Sequence, residues 1–174
     1  MKIALKYGLI YSGINILWTL LMFITELNRS DYAWVFNLIA VVIPVICIIM
    51  AIKEFKAGPG AGFMSFGQAF KHGMVICVVG GIIFGAFNVV YLEYIDTNFM
   101  EFQMQKQVDK MAEMGMSEGD IEKAMERSAD FQTPFWMFTM AIVVSLIFGL
   151  ILSLIMAAIL KKENPDASPF DAAA

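Results

Sequence analysis

Charged residues cut the chain into four uncharged stretches, 7–25, 32–52, 72–92 (counting His72 as neutral) and 131–160. A helix rises 1.5 Å per residue, so about 20 apolar residues cross the hydrocarbon core of a bilayer. All four stretches reach that length, and none alternates with the period of two that marks a half-buried strand. The pattern predicts an all-α polytopic membrane protein. Its four transmembrane helices are expected at about 7–27, 32–52, 66–92 and 135–160. A polar segment, 93–133, separates the third from the fourth and predicts a periplasmic helical hairpin. Together these make one membrane domain over 1–163, followed by a disordered cytoplasmic tail over 164–174. Lys2 and Lys6 precede the first stretch as they would in a signal peptide. That stretch is long for one, and no A-x-A-like site follows Thr25-Glu26-Leu27, so it reads as a retained helix.

Local signals set the boundaries. Ser65-x-x-Gln68 has the form of a capping box and should open the third helix after the turn Gly58-Pro59-Gly60-Ala61-Gly62. In the hairpin, Met104, Val108 and Met111 share one helical face over about Tyr94 to Met114. Gly115 then supplies the positive φ of a helix stop. Ser117-x-x-Asp120 starts a second helix whose buried face is Ile121, Ala124, Met125 and Ser128. Pro134 marks re-entry into the last span, and Pro44 should kink or loosen the second.

The clearest order lies inside the spans. Ala69, Gly73, Cys77, Gly81 and Gly85 recur every four residues in the third, and Ala141, Ser145, Gly149, Ser153 and Ala157 do so in the fourth. Lipid gives helices no hydrophobic reason to associate, so small residues that let backbones approach supply the contact. Gly73, Gly81, Gly85, Ser145, Gly149 and Ser153 are therefore expected to pack the two antiparallel spans together, although a stripe could instead face another subunit. Gly8 and Ser12 form a shorter patch. Asn15, Thr19 and Asn88 are the candidates for a polar groove, against the plainer reading of hydrogen bonds between helices. Lys53, Lys56, Lys71 and His72 are candidates for contact with anionic lipid headgroups, against simple positive-inside anchoring.

The chain has 174 residues, 59% hydrophobic and 16% charged, with 15 Phe and a net charge of −4. Disorder and an ordinary soluble core are both excluded by that apolar excess. The acidic balance argues against a nucleic-acid partner. Two Cys in separate spans, with no C-x-x-C, read as packing residues. Lys2, Lys6, Lys53, Lys56, Lys71, Lys161 and Lys162 all cluster at span ends on one side, which predicts cytoplasmic termini; for a bacterial protein this means the inner membrane. The hairpin holds ten acids and four bases. It contains no His and no D-x-D-x-D-G loop, so no metal site is expected. No Asp, Glu, Lys or Arg lies mid-span, and no nucleophile with a base can be nominated. No catalytic residue and no cofactor are therefore expected.

Ala4-Leu5-Lys6-Tyr7-Gly8-Leu9, Ser65-Phe66-Gly67-Gln68-Ala69-Phe70, Gly115-Met116-Ser117-Glu118 and the final helix ending Ile159-Leu160-Lys161-Lys162 stand in an order and spacing that carry a likeness. The chain up to Lys162 resembles the bacterial membrane family called domain of unknown function 4199. The resemblance implies a small inner-membrane protein with four spans and a charged segment before the last, and it brings no activity to transfer. The expected function is that of a non-enzymatic accessory or assembly component. Its expected partners are the lipid bilayer and either another membrane protein or further copies of itself. The alternative is a small oligomeric carrier or flippase subunit for a lipid-linked or neutral substrate.

Overall fold

The computed structural model describes residues 1–129, 131 and 133–165. Its elements are α1 (Lys2–Ile24), a 3-10 turn (Leu27–Arg29), α2 (Ala33–Ala57), α3 (Phe66–Val90) with a π-helical turn (Tyr91–Ile95), α4 (Phe99–Glu113), α5 (Glu118–Ala129) and α6 (Pro134–Leu160). Among the described residues there is no strand, only an isolated antiparallel bridge between Met64 and Lys162. Four helical segments are long and apolar enough to cross a membrane: Lys2–Ile24, Ala33–Ala57, Phe66–Ile95 and Phe135–Leu160. Each buries only 22–33% of its most apolar stretch inside the protein, so most of that surface is left for lipid. The chain is an all-α, multi-pass membrane protein.

The caps follow the side chains. At the start of α3 the Gln68 amide N–H donates to Ser65 Oγ (3.3 Å), and the Ser65 amide N–H donates to Gln68 Oε1 (3.1 Å), a complete capping box. Gly115 takes φ +80° after α4. Its N–H donates to Ala112 O, and the Met116 N–H donates to Met111 O, the paired bonds of a Schellman stop. Ser117 Oγ accepts the Asp120 N–H, but the Asp120 carboxylate accepts from the Ser117 hydroxyl instead of a backbone amide. Aspartate is one methylene shorter than glutamate, so the box closes on the hydroxyl. α1 stops without glycine: Glu26 adopts φ 55°, and Thr25 Oγ1 donates to Leu21 O.

Three boundaries differ from the sequence reading. The first hairpin helix starts at Phe99, not near Tyr94, because α3 continues in a wide turn. The Asp96 N–H reaches back five residues to Tyr91 O (2.8 Å), and the Tyr91 hydroxyl donates to Asp96 Oδ2 (2.9 Å). α1 already begins at Lys2 and ends at Ile24. α2 carries its helix past the uncharged stretch through Lys53 and Lys56 to Ala57, and runs through a fully buried Pro44. Of the expected disordered tail, only 164 and 165 fall among the described residues.

The chain divides into two compact units, Met1–Phe84 with Ile142–Ala174, and Gly85–Ala141. In the first, the core is built from Ala4, Ile48, Ile52, Ile76, Cys77 and Ala157 with their neighbours. There α3 meets α6 through a series of small residues. A Cβ placed on Gly73 would stand 2.9 Å from Ser153 Cβ, one on Gly81 would stand 2.5 Å from Ser145 Cβ, and one on Gly149 would stand 2.6 Å from Cys77 Cβ. Each step of four along α3 is thus matched by a step of four back along α6. α1 seats on α3 similarly: a Cβ on Gly8 would meet Val79 Cβ at 3.0 Å, and the Tyr11 ring occupies the space beside Gly80. In the second unit α4 and α5 form the hairpin, with Ile121 buried and Met104, Val108, Met111 and Met125 half-buried. Here Gly85 faces Ala141 and Phe138.

These contacts separate two kinds of glycine. Gly81→Leu should cost at least about 1–3 kcal/mol through overpacking against Ser145. Gly13 has nothing within 4 Å of a built Cβ, so Gly13→Ala should be neutral or stabilising by up to about 1 kcal/mol. Thermal unfolding in mild detergent, followed by helicity, checks both.

Candidate functional site

Three polar side chains inside the first unit are tied to backbone carbonyls. Ser145 Oγ donates across to Cys77 O (2.8 Å), locking α6 to α3 at the level of Gly81. The buried Asn15 turns its amide back onto Tyr11 O (3.0 Å), and buried Ser12 donates to Leu9 O (2.9 Å). Such local bonds satisfy a polar group that would be costly in hydrocarbon. Ser153 is fully buried against Gly73, and its hydroxyl has no hydrogen-bond partner among the described residues. Close packing there leaves room for the small side chain alone.

The Lys-rich end is knitted by charge and backbone. Glu54 on α2 accepts from both Lys6 Nζ and the Tyr7 hydroxyl on α1. Lys56 donates to the carbonyl of Leu160, at the C-terminus of α6, where a cation suits the helix dipole. Met64 and Lys162 exchange two backbone hydrogen bonds (2.8 and 2.9 Å), and the Lys162 ammonium stands over the Phe63 ring (5.2 Å to the centroid). The loop between α2 and α3 is therefore clamped to the end of α6. Sequence reading missed this clamp, since an isolated bridge has no periodic signature.

That arrangement sorts the expected headgroup contacts. Lys53 and Lys71 are exposed. Lys56 is committed to the end of α6. His72 is only 6% exposed. Its Nδ1 donates to Gln68 O (2.8 Å), and its ring lies edge-on to Phe55 at 4.9 Å between centroids. His72 thus leaves the expected headgroup set, because its face of α3 turns toward α2.

The expected polar groove is likewise divided. Asn15 is used up within α1, and Thr19, half-buried on the same helix, belongs with it to the first unit. Asn88 lies in the second unit and lines a cavity of about 310 Å³. Gly85, Val89 and Leu92 contribute one side of that cavity, and Met137, Met140 and Ala141 the other. Among the described residues no group of three or more His, Cys, Asp or Glu side chains could hold a metal ion.

The family described as "Protein of unknown function (DUF4199)" matches residues 6–162, nearly the whole chain. The chain belongs to that family. Comparison with curated proteins finds no match, and comparison with solved structures finds none either. The four spanning helices and the matched stretch coincide in this DUF4199 member. The hairpin before the last helix falls within the match as well.

Two outcomes follow from the burial. Cys47 and Cys77, 2% and 3% exposed, should resist a maleimide in the folded protein and react once it is denatured, as mass spectrometry would read. Ser145→Ala should lower stability by about 0.5–1.5 kcal/mol in an unfolding titration, the range of hydrogen bonds between membrane helices.

Proposed function

We propose that this DUF4199 member is a non-enzymatic accessory or assembly component of a bacterial inner membrane. One observation carries the reading: the Ser145 hydroxyl on α6 is spent on the Cys77 carbonyl of α3, so this polar group serves helix association. A bundle that spends span hydroxyls on its own packing presents its specificity on its outer faces. Both termini are assigned to the cytoplasm and the α4–α5 hairpin to the periplasm. The support is the cluster of lysines at span ends, from Lys2 and Lys6 to Lys161 and Lys162.

The second reading, a small oligomeric carrier or flippase subunit for a lipid-linked or neutral substrate, draws on the cavity at Asn88. Mild-detergent purification from native membranes, with mass spectrometry of co-purifying proteins and lipids, separates the two. The accessory reading expects a different protein in fixed stoichiometry. A homo-oligomer carrying one enriched lipid-linked sugar would instead favour the carrier. Reporters fused at Gly115 and after Lys162 test the orientation, and a cytoplasmic Gly115 would sink it.

A further inference from the structure

Three circumstances meet at Asn88. It lines an open cavity of about 310 Å³ whose other walls are apolar or glycine. Its amide has no hydrogen-bond partner among the described residues, and the residue is half-buried at the cavity wall. Its depth is also fixed by the helix. The segment Phe66–Ile95 has 30 residues. At 1.5 Å per residue it is about 45 Å long, the full thickness of a bilayer with its headgroup layers. Its ends therefore stand at headgroup level. Asn88 lies seven residues before Ile95, about 10 Å along the axis. The hydrocarbon core occupies about 30 Å of the thickness, which puts the amide near the core boundary, where lipid ester linkages lie.

We propose that this cavity is a binding site for one ester-linked diacyl phospholipid, with an ester carbonyl accepting a hydrogen bond from the Asn88 amide and the attached acyl chain lying in the cavity. An amide left without a partner at this depth is costly, and an ester carbonyl is the acceptor that a leaflet supplies there. The walls suit a chain. Gly85 leaves the floor open, since a Cβ there would already touch Ala141 Cβ and the Phe138 ring at 3.4 Å. Met137 and Met140 are unbranched and adapt to a flexible hydrocarbon. Met140 is 48% exposed, which keeps the cavity open at the helix surface. The site is independent of the accessory reading and stands whether or not a partner protein co-purifies.

The test uses the full chain in mild detergent. It is loaded either with phosphatidylethanolamine bearing two ester-linked oleoyl chains or with its di-ether analogue, and native mass spectrometry follows lipid loss with collision energy. The wild type should keep one ester lipid after the others are stripped. It should favour that lipid over the ether analogue by about fivefold, the ratio one hydrogen bond of ordinary net strength supplies. Asn88→Leu should bring the ester lipid down to the ether level, and Gly85→Leu should displace both. Equal retention of ester and ether lipid by the wild type would overturn the proposal, as would unchanged retention in a helical, monodisperse Asn88→Leu variant. If that variant does not fold, the comparison of the two lipids on the wild type decides alone.

Discussion

Close approach of backbones between α3 and α6 is the constraint on which the first unit rests. In hydrocarbon, association of helices cannot draw on release of water from apolar surface. What remains is dispersion between atoms at contact distance, small for each pair and steeply lost with separation. Gly73, Cys77 and Gly81 meet Ser153, Gly149 and Ser145 in turn, so that every larger neighbour finds a smaller residue opposite. The short distance then brings the Ser145 hydroxyl within reach of the Cys77 carbonyl. Packing and hydrogen bond thus depend on the same missing side chains. The same device recurs where α1 lies on α3, with Gly8 against Val79 and Tyr11 against Gly80.

The Lys-rich end works by a different physics. Here water and headgroups are near, so exposed pairs such as Lys6 with Glu54 are screened and hold geometry more than they add stability. The firmer element is the backbone exchange between Met64, which is buried, and Lys162. With the Lys56 bond to Leu160 O, it fixes a glycine-rich loop that would otherwise be free to move. The membrane interior and its boundary are therefore held by separate means, close packing in one and directed polar contacts in the other.

How much of this was legible in the sequence follows from the range of each signal. The four spans were readable because a missing charge is visible residue by residue. The capping box at Ser65 and Gln68 and the stop at Gly115 were readable because their partners lie within a few positions. The stripes named the right faces, since a spacing of four is itself the helix surface. Gly80 was not readable: it stands off the stripe, and its need for hydrogen comes from Tyr11, distant in sequence. His72 was misplaced for a related reason, because its flanking lysine suggested the surface while helix rotation turned it toward Phe55. The π-helical turn also escaped, as one additional residue per turn leaves no trace in hydrophobic periodicity. In the expected polar groove only Asn88 lines a described cavity, because Asn15 found an acceptor on its own helix.

The bridge between Met64 and Lys162 bears on the order in which the fold can be completed during synthesis. A ribosome delivers the chain from its N-terminus, so α1, α2 and α3 enter the bilayer before α6 exists. Until then the glycine stripe of α3 lacks its α6 partner, and the loop at Met64 lacks Lys162 to pair with. Both are satisfied together, and only once residue 162 has left the exit tunnel. α6 therefore acts as the closing piece of the first unit, and quality control that samples the nascent chain would meet an unfinished α3 until α6 emerges.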